Sequence, residues 1–194
     1  MFFFAASSQF AHEGRHMKRA GALRDRPVPP VVSLIACLVL FNGSAIASAD
    51  EAELPEAIRT TGETVVLAVH AEGAQVYECS ADAAGKLAWV FREPIATLIR
   101  DGKTVGRHYA GPRWELADGS AVLGKVEGKA TGSTAADIPW LRLSVARHEG
   151  KGALDDATTI QRIHTQGGAL SGDCEAAGAF RSVAYAADYL FSRR

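Results

Sequence analysis

The sequence lacks the short motifs that usually identify a biochemical activity. It contains no phosphate-binding P-loop, no glycine fingerprint of dinucleotide-binding folds, no Cys-x-x-Cys pair and no His-Glu-x-x-His zinc helix. The Gly-x-Ser-x-Gly elbow of serine hydrolases is also missing. These absences exclude the enzyme classes that the motifs identify, so the sequence alone assigns no reaction.

The chain also lacks an excess of charge of either sign. It carries 21 Lys and Arg residues against 22 Asp and Glu residues, for a formal net charge of −1 at pH 7. Nucleic-acid-binding domains usually present a basic surface that neutralises phosphates, so we expect no nucleic-acid partner. No motif indicates a cofactor, and none is expected.

Long apolar runs are absent as well, and the one short run has the flanks of an export signal. Residues 31–41 are apolar apart from Ser33, basic residues precede them, and Ala47-Ser48-Ala49 follows. A basic region, an apolar core and a small-residue site in this order are typical of a secretory signal peptide. The core has about half the length that a membrane-spanning helix needs. We therefore expect cleavage after Ala49 and a periplasmic or secreted protein with no permanent membrane span.

Two start positions, Met1 and Met17, remain open. Lys18 and Arg19 directly follow Met17, as at the start of many signal peptides, and residues 1–16 would then be a gene-start artefact. Both starts predict the same mature chain. In that chain we expect a lead-in segment over residues 50–62 and a single β-rich domain over residues 63–194.

Cysteine is scarce, and only Cys79 and Cys174 lie in the mature region. An even pair in an exported chain predicts one disulfide. The two positions are 95 residues apart in the sequence, and closing so long a loop stabilises a fold by roughly 4–5 kcal/mol in the entropic model. A pair of buried free thiols remains open, because the sequence does not give the distance between the side chains.

The mature chain is a series of short β-rich runs separated by glycine-containing turns. Asp101-Gly102 and Asp118-Gly119 each stand between two such runs and predict tight hairpins, and Glu72-Gly73 looks like a further break. The fold class expected is mainly β, an antiparallel sandwich or partly closed barrel built of hairpins with little helix. A terminal apolar strand is expected to pair inside the sheet, so that the two ends of the domain meet. The predicted strands are 64–70, 75–79, 87–92, 96–100, 104–109, 113–117, 121–127, 140–147, 158–165 and 183–191.

The densest group of polar and aromatic residues spans 107–115. His108 and Glu115 lie on two predicted strands joined through Gly111-Pro112, an arrangement that lets their side chains meet as an acid–base pair of the kind that hydrolases use. A structural role, in which the two residues satisfy each other's hydrogen bonds, remains open.

Aromatic residues near strand ends form a second candidate site. Tyr109, Arg113, Trp114 and Trp140 are the candidate ligand-binding residues, because Trp and Tyr offer both an apolar face and a hydrogen bond. A role in filling the core remains open for these aromatic residues. The histidines lack the spacing of metal ligands on a strand or a helix, so no metal site is expected.

Several short blocks follow one another in a recognisable order: Val76-Tyr77-Glu78-Cys79, Trp89-Val90-Phe91, residues 106–115, Asp118-Gly119-Ser120, Ile138-Pro139-Trp140-Leu141, Ile160-Gln161-Arg162, Gly167-Gly168, Cys174 and Tyr185-Ala186-Ala187-Asp188-Tyr189. The order of these blocks resembles the DUF3455 family of secreted proteins of uncharacterised function. The resemblance covers nearly all of residues 54–191 and implies an exported single domain, but it carries over no catalytic residue. One departure is His164, where the pattern leads us to expect Asn.

The leading functional hypothesis is an exported β-domain that binds a small ligand or an envelope component without catalysis. The export signal, the aromatic strand ends and the missing catalytic motifs favour it. One alternative is a hydrolase or lyase that uses His108 and Glu115. Another is a structural module of the cell envelope.

Overall fold

Alternating apolar and polar residues build eight antiparallel strands in the computed structural model, which describes residues 54–194. The signal peptide and cleavage site predicted for residues 1–49 lie outside the described residues. A short 3-10 helix, Glu56–Ile58, precedes the first strand. The strands are β1 Thr64–Ala81, β2 Leu87–Arg100, β3 Lys103–Tyr109, β4 Arg113–Leu116, β5 Ala121–Ala130, β6 Trp140–Glu149, β7 Thr159–Gly167 and β8 Phe180–Arg193.

The strands pair in sequence order and close into a barrel. β1 pairs with β2 on one side and with β8 on the other, so no strand of the ring is left with a free edge. The prediction of a mainly β antiparallel fold is confirmed, and within that class the barrel is fully closed. The last strand is paired on both sides, as expected for an apolar terminal strand.

Both predicted Asp-Gly hairpins are present. Asp101 and Gly102 connect β2 to β3, and both have positive φ, as tight two-residue hairpin turns require. Asp118 and Gly119 lie in the connection between β4 and β5.

The break predicted at Glu72-Gly73 is wrong, because β1 continues through it as one strand. Gly73 pairs with Ala96 of β2, and a Cβ built on it would clash with the carbonyl oxygen of Ile95. The glycine therefore allows close approach of two backbones instead of a turn. The predicted strands 87–92 and 96–100 are likewise parts of one strand, β2.

Most of the barrel interior, called the lumen below, is filled with apolar side chains. Leu67 and Phe191 pack there together with Leu154 and Ala157 of the connection between β6 and β7. The described part of the lead-in segment, residues 54–62, packs on the outer face instead, where Leu54 and Ile58 belong to a smaller cluster. Within residues 54–194, no helix is long and apolar enough to cross a membrane.

The predicted disulfide is confirmed. Cys79 of β1 is bonded to Cys174, which lies in the loop before β8, and the two Cα atoms are 5.8 Å apart. Backbone hydrogen bonds hold the same loop, since Cys79 donates to Ala179 and accepts from Gly178. The bond thus ties the first strand to the segment that leads into the closing strand.

Candidate functional site

One part of the lumen is not filled and forms a cavity of about 640 Å³. Apolar and aromatic side chains provide most of its wall. The complete lining includes residues from all eight strands, so the site depends on closure of the whole barrel. The apolar and aromatic wall residues include Tyr77, Phe91, Pro94, Trp114, Val126, Ile138, Leu141, Leu143 and Tyr189.

The hairpin of β3 and β4 delivers His108 and Trp114 to this cavity. The two residues are directly opposite each other in the register, so their side chains share the inner face of the sheet. Their rings stack with centroids 4.3 Å apart and planes 9° from parallel, and Tyr189 of β8 contacts both rings edge-on. Tertiary packing therefore fixes the orientation of both side chains.

The imidazole of His108 is uncharged at neutral pH. Burial lowers the pKa of His108 to about 3, because desolvation disfavours the charged ring. The Nδ1 atom of His108 lies 2.9 Å from the backbone oxygen of Arg113. Since a carbonyl only accepts, Nδ1 carries the proton and donates, which leaves a lone pair on Nε2.

Three polar side chains in the wall have donor atoms with no hydrogen-bond partner in the described part of the chain. They are the amide nitrogen of Gln75, the indole nitrogen of Trp114 and the hydroxyl of Tyr189, and all three residues are at most 2% exposed. The hydroxyl of Tyr185, a residue that does not itself line the cavity, is also buried and has no hydrogen-bond partner among the described residues. Burial raises the pKa of Tyr189 and of Tyr185, so both remain protonated. The polar atoms of Trp114, Tyr185 and Tyr189 are neighbours, yet no pair closes to a hydrogen bond of normal geometry.

Arg162 of β7 brings a positive charge to the same region. It is paired in register with Leu141 of β6 and with Tyr189 of β8, and both of those residues line the cavity. Its Nε and Nη2 atoms donate to the backbone oxygen of Pro139 at 3.1 and 2.8 Å. The charge of Arg162 lowers the pKa of His108, secondary to burial, and opposes the rise in the pKa of Tyr189. The positive charge of Arg162 therefore influences the ionisation of side chains that face the lumen.

The rim of the cavity is apolar and basic. Phe91 and Val126 line it although each is about half exposed, at 49% and 50%. Arg92 and Lys129 also line the cavity, and both are exposed. Exposed large apolar side chains at the mouth of a pocket are typical of a site that admits an apolar ligand.

The structure does not bring His108 and Glu115 together. Glu115 is opposite Arg107 in the register, one position beyond the His108–Trp114 pair, so the alternation of side chains puts it on the outer face. There it accepts hydrogen bonds from Tyr109 at 2.5 Å and from Arg107 at 2.9 Å. These two bonds, the first above all, lower the pKa of Glu115. The hypothesis of an acid–base pair formed by these two residues is therefore corrected.

Of the four residues predicted to bind a ligand, only Trp114 lines the cavity. Tyr109 and Arg113 belong to the outer face, where Arg113 forms an ion pair with Glu149. Trp140 packs on the outer cluster of the lead-in segment and contacts the ring of His164. The residues that sequence reasoning missed lie on separate strands, and they are Gln75, Arg162 and Tyr189.

A metal centre is not formed by the part of the chain that the structure describes. Among residues 54–194, no group of three or more His, Cys, Asp or Glu side chains is arranged to hold an ion.

Comparison with known proteins identifies a family but no relative of known activity. Residues 60–193 match the family model described as a protein of unknown function, DUF3455. No curated protein and no solved structure matches the chain.

Proposed function

The chain belongs to the DUF3455 family, whose function is unknown, and we propose that its barrel is a binding domain that holds one small, largely apolar molecule in the lumen. The observation that carries this proposal is the cavity of about 640 Å³ that extends from the exposed rim to the buried Trp114 and Tyr189. Pockets that take small molecules usually have volumes of about 300–1,000 Å³, mostly apolar walls and a few polar groups. The lumen meets each of these criteria.

The contrast between the two parts of the lumen supports the same proposal. Leu154 and Ala157 close one part with side chains that are fully buried. The other part leaves space that larger side chains would fill, and unfilled volume costs packing free energy. A ligand that occupies the space would offset this cost, so a binding function explains why the space is left unfilled.

Binding fits the arrangement of polar groups better than acid–base chemistry by the predicted pair. His108 faces the lumen and Glu115 faces outward, so His108 is the only member of this pair that a molecule in the cavity can contact. The histidine is held by Trp114 and by the backbone oxygen of Arg113. Such a residue shapes the wall and offers one acceptor, Nε2, to a bound molecule.

The proposal includes export of the domain, with cleavage after Ala49. The disulfide between Cys79 and Cys174 supports it, since such bonds persist in oxidising compartments. The test is amino-terminal sequencing of the protein recovered outside the cytoplasm from cells that express the full chain. Asp50 is expected as the first residue, and an intact protein retained in the cytoplasm would overturn the export proposal.

Ligand binding is tested with the protein recovered from the same cells. Native mass spectrometry on gently purified protein is expected to show a bound mass that leaves on denaturation. Titration with N-phenyl-1-naphthylamine, an uncharged fluorescent probe, is expected to give saturable binding with one site per chain. Val126→Trp covers the mouth of the cavity and should weaken probe binding about tenfold, which corresponds to about 1.4 kcal/mol.

Val90→Trp is the matched control, because Val90 is exposed to the same degree, at 51% against 50% for Val126, but does not line the cavity. It should bind the probe like the unchanged protein. Equal binding by both variants would place the probe elsewhere and count against the lumen. A bare oligomer that binds no probe would overturn the binding function and favour a structural envelope module.

A further inference from the structure

The lumen has positive charge without a matching negative charge, and several of its buried donors have no hydrogen-bond partner among the described residues. Its lining includes three cationic side chains, Arg92, Lys129 and Arg162, and no Asp or Glu. Arg92 is at the rim, where Glu93 neutralises it in part at 3.6 Å. None of the ion pairs formed within residues 54–194 includes Arg162. The guanidinium of Arg162 is half-buried and donates to the Pro139 oxygen, but it has no carboxylate partner, so its positive charge would favour an anionic group in the lumen.

Several donor groups surround the same position. Trp114 Nε1 has no hydrogen-bond partner in the part of the chain that the structure describes, whereas the guanidinium of Arg162 already donates to the Pro139 oxygen. The hydroxyl of Tyr189 is the neighbour of both groups. The hydroxyl of Tyr185 in turn neighbours Tyr189 and the amide of Gln75. A buried donor left without an acceptor is unfavourable, and here several converge. One group with two or more oxygen acceptors would satisfy several of them at once.

The rest of the cavity is apolar between this cluster and the mouth. Leu141 and Leu143 of β6 line the wall, and Phe91 and Val126 continue it to the exposed rim. A ligand that suits the whole site therefore has two different ends. Its anionic end meets Arg162, and its apolar body lies along the leucines towards the mouth.

Resting on the proposed function, we infer that the ligand is an amphiphilic carboxylic acid whose carboxylate is bound by Arg162 with the Tyr189 hydroxyl and the Trp114 indole. A planar carboxylate suits a guanidinium group, which donates from a rigid fork. Arg92 and Lys129 are exposed and His108 is uncharged, so Arg162 is the one cation of the lining that lies inside the lumen. Selectivity for the acid over its neutral analogue follows from this one charge.

The test compares ligands of equal chain length that differ only in the end group. Dodecanoate and dodecan-1-ol each displace N-phenyl-1-naphthylamine from the protein produced from the full chain. Dodecanoate is expected to bind at least about tenfold more tightly, because hydrogen bonds to a charged group exceed those to a neutral one. Dodecylamine, which is cationic at neutral pH, is expected to bind more weakly than the alcohol.

Substitution of the arginine should remove this selectivity. Arg162→Met is expected to bring the two affinities within about threefold of each other while binding of the alcohol is kept. Should Arg162→Met fail to fold, Tyr189→Phe removes one donor and is expected to weaken dodecanoate binding alone.

Arg142→Met is the matched control. Arg142 lies between Leu141 and Leu143 on β6, and because those two leucines line the cavity, its side chain points to the outer face. There it contacts the backbone oxygen of Arg59 at 3.4 Å. This variant loses the same charge as Arg162→Met but should keep the full preference for dodecanoate.

The outcomes separate this inference from the function on which it rests. If the probe binds, and dodecanol displaces it as effectively as dodecanoate does, the lumen is a binding site without preference for an acid. That outcome overturns the acid inference but not the binding function. If the probe and all three dodecyl ligands fail to bind, the binding function itself is overturned. An unchanged preference in Arg162→Met would assign the selectivity to another cation and overturn the role of Arg162.

Discussion

The imidazole of His108 lies flat on the indole of Trp114, with ring centroids 4.3 Å apart, and Tyr189 closes the group from β8 at 5.2 Å from the histidine. Three strands thus contribute to one aromatic wall. Because the wall is buried, the histidine is neutral, and protonation of its ring opposes folding. This relationship makes stability a function of pH.

We predict that His108 makes the fold sensitive to acid. The pKa of His108 is about 3 in the folded protein against 6.5 for a free side chain, so the unfolded chain binds a proton that the folded chain does not. The free energy of unfolding should therefore fall as pH drops from about 6.5 towards 3, by up to about 1.4 kcal/mol per pH unit from this residue. Urea unfolding across this range measures the slope.

His108→Phe isolates this contribution. Acid also destabilises both proteins through three carboxyl groups whose pKa is lowered in the folded state, those of Glu115, Asp118 and Asp137. Only the difference between the two stability curves therefore reports the histidine. The variant should be less stable at pH 7, because the Arg113 oxygen loses its donor, and the gap should narrow as pH falls. Parallel curves for the two proteins would contradict a neutral buried histidine.

The disulfide is expected to supply a large part of the stability. It closes a separation of 95 residues, and a loop of that length corresponds to about 4–5 kcal/mol in the entropic model. The double variant Cys79→Ser, Cys174→Ser should therefore unfold at a markedly lower urea concentration. The unchanged protein under reducing conditions should behave in the same way, and equal midpoints for the oxidised and reduced forms would contradict the prediction.

The sequence predicts most of the strand content and two hairpins, but of the four predicted ligand-binding residues only Trp114 lines the cavity. Period-two alternation and Asp-Gly turns are local signals, and they predict the strand content and two hairpins of the barrel. Gly73 leads to a wrong prediction, since a glycine at a close approach of two strands looks like a glycine in a turn. Local patterns do not distinguish these two uses.

The site residues escape sequence-based prediction for a different reason. Gln75, Arg162 and Tyr189 come from three strands, and they meet only because the barrel closes. His108 and Glu115 are predicted to be partners because the turn between them is short. A shift of one position in the register reverses the face of a side chain, and the register here pairs Glu115 with Arg107.

A third prediction concerns His164, where the family resemblance leads us to expect Asn. His164 has φ of 50°, in the left-handed region that Asn tolerates well and β-branched residues do not. His164→Asn should keep the free energy of unfolding within about 0.5 kcal/mol, whereas His164→Val should lose about 1–2 kcal/mol. Both variants remove the imidazole that contacts Asp188 at 3.0 Å, so their difference isolates the backbone effect. Urea unfolding gives the comparison, and equal stability of the two variants would contradict strain at this position.

The last prediction tests the close approach of β1 and β2 at Gly73. Gly73→Ala would drive a methyl group into the Ile95 oxygen and to 2.5 Å from the Cα of Ala96, so β1 and β2 must separate where the barrel is continuous. Because the clash involves backbone atoms, it is not relieved by a rotamer change, and we expect a loss of about 3 kcal/mol or more. Gly85→Ala is the control, since a Cβ there meets nothing within 4 Å and carries only the strain of φ +81°, about 1 kcal/mol. Thermal unfolding of both variants gives the comparison, and a smaller loss at position 73 than at position 85 would show that the two strands tolerate separation.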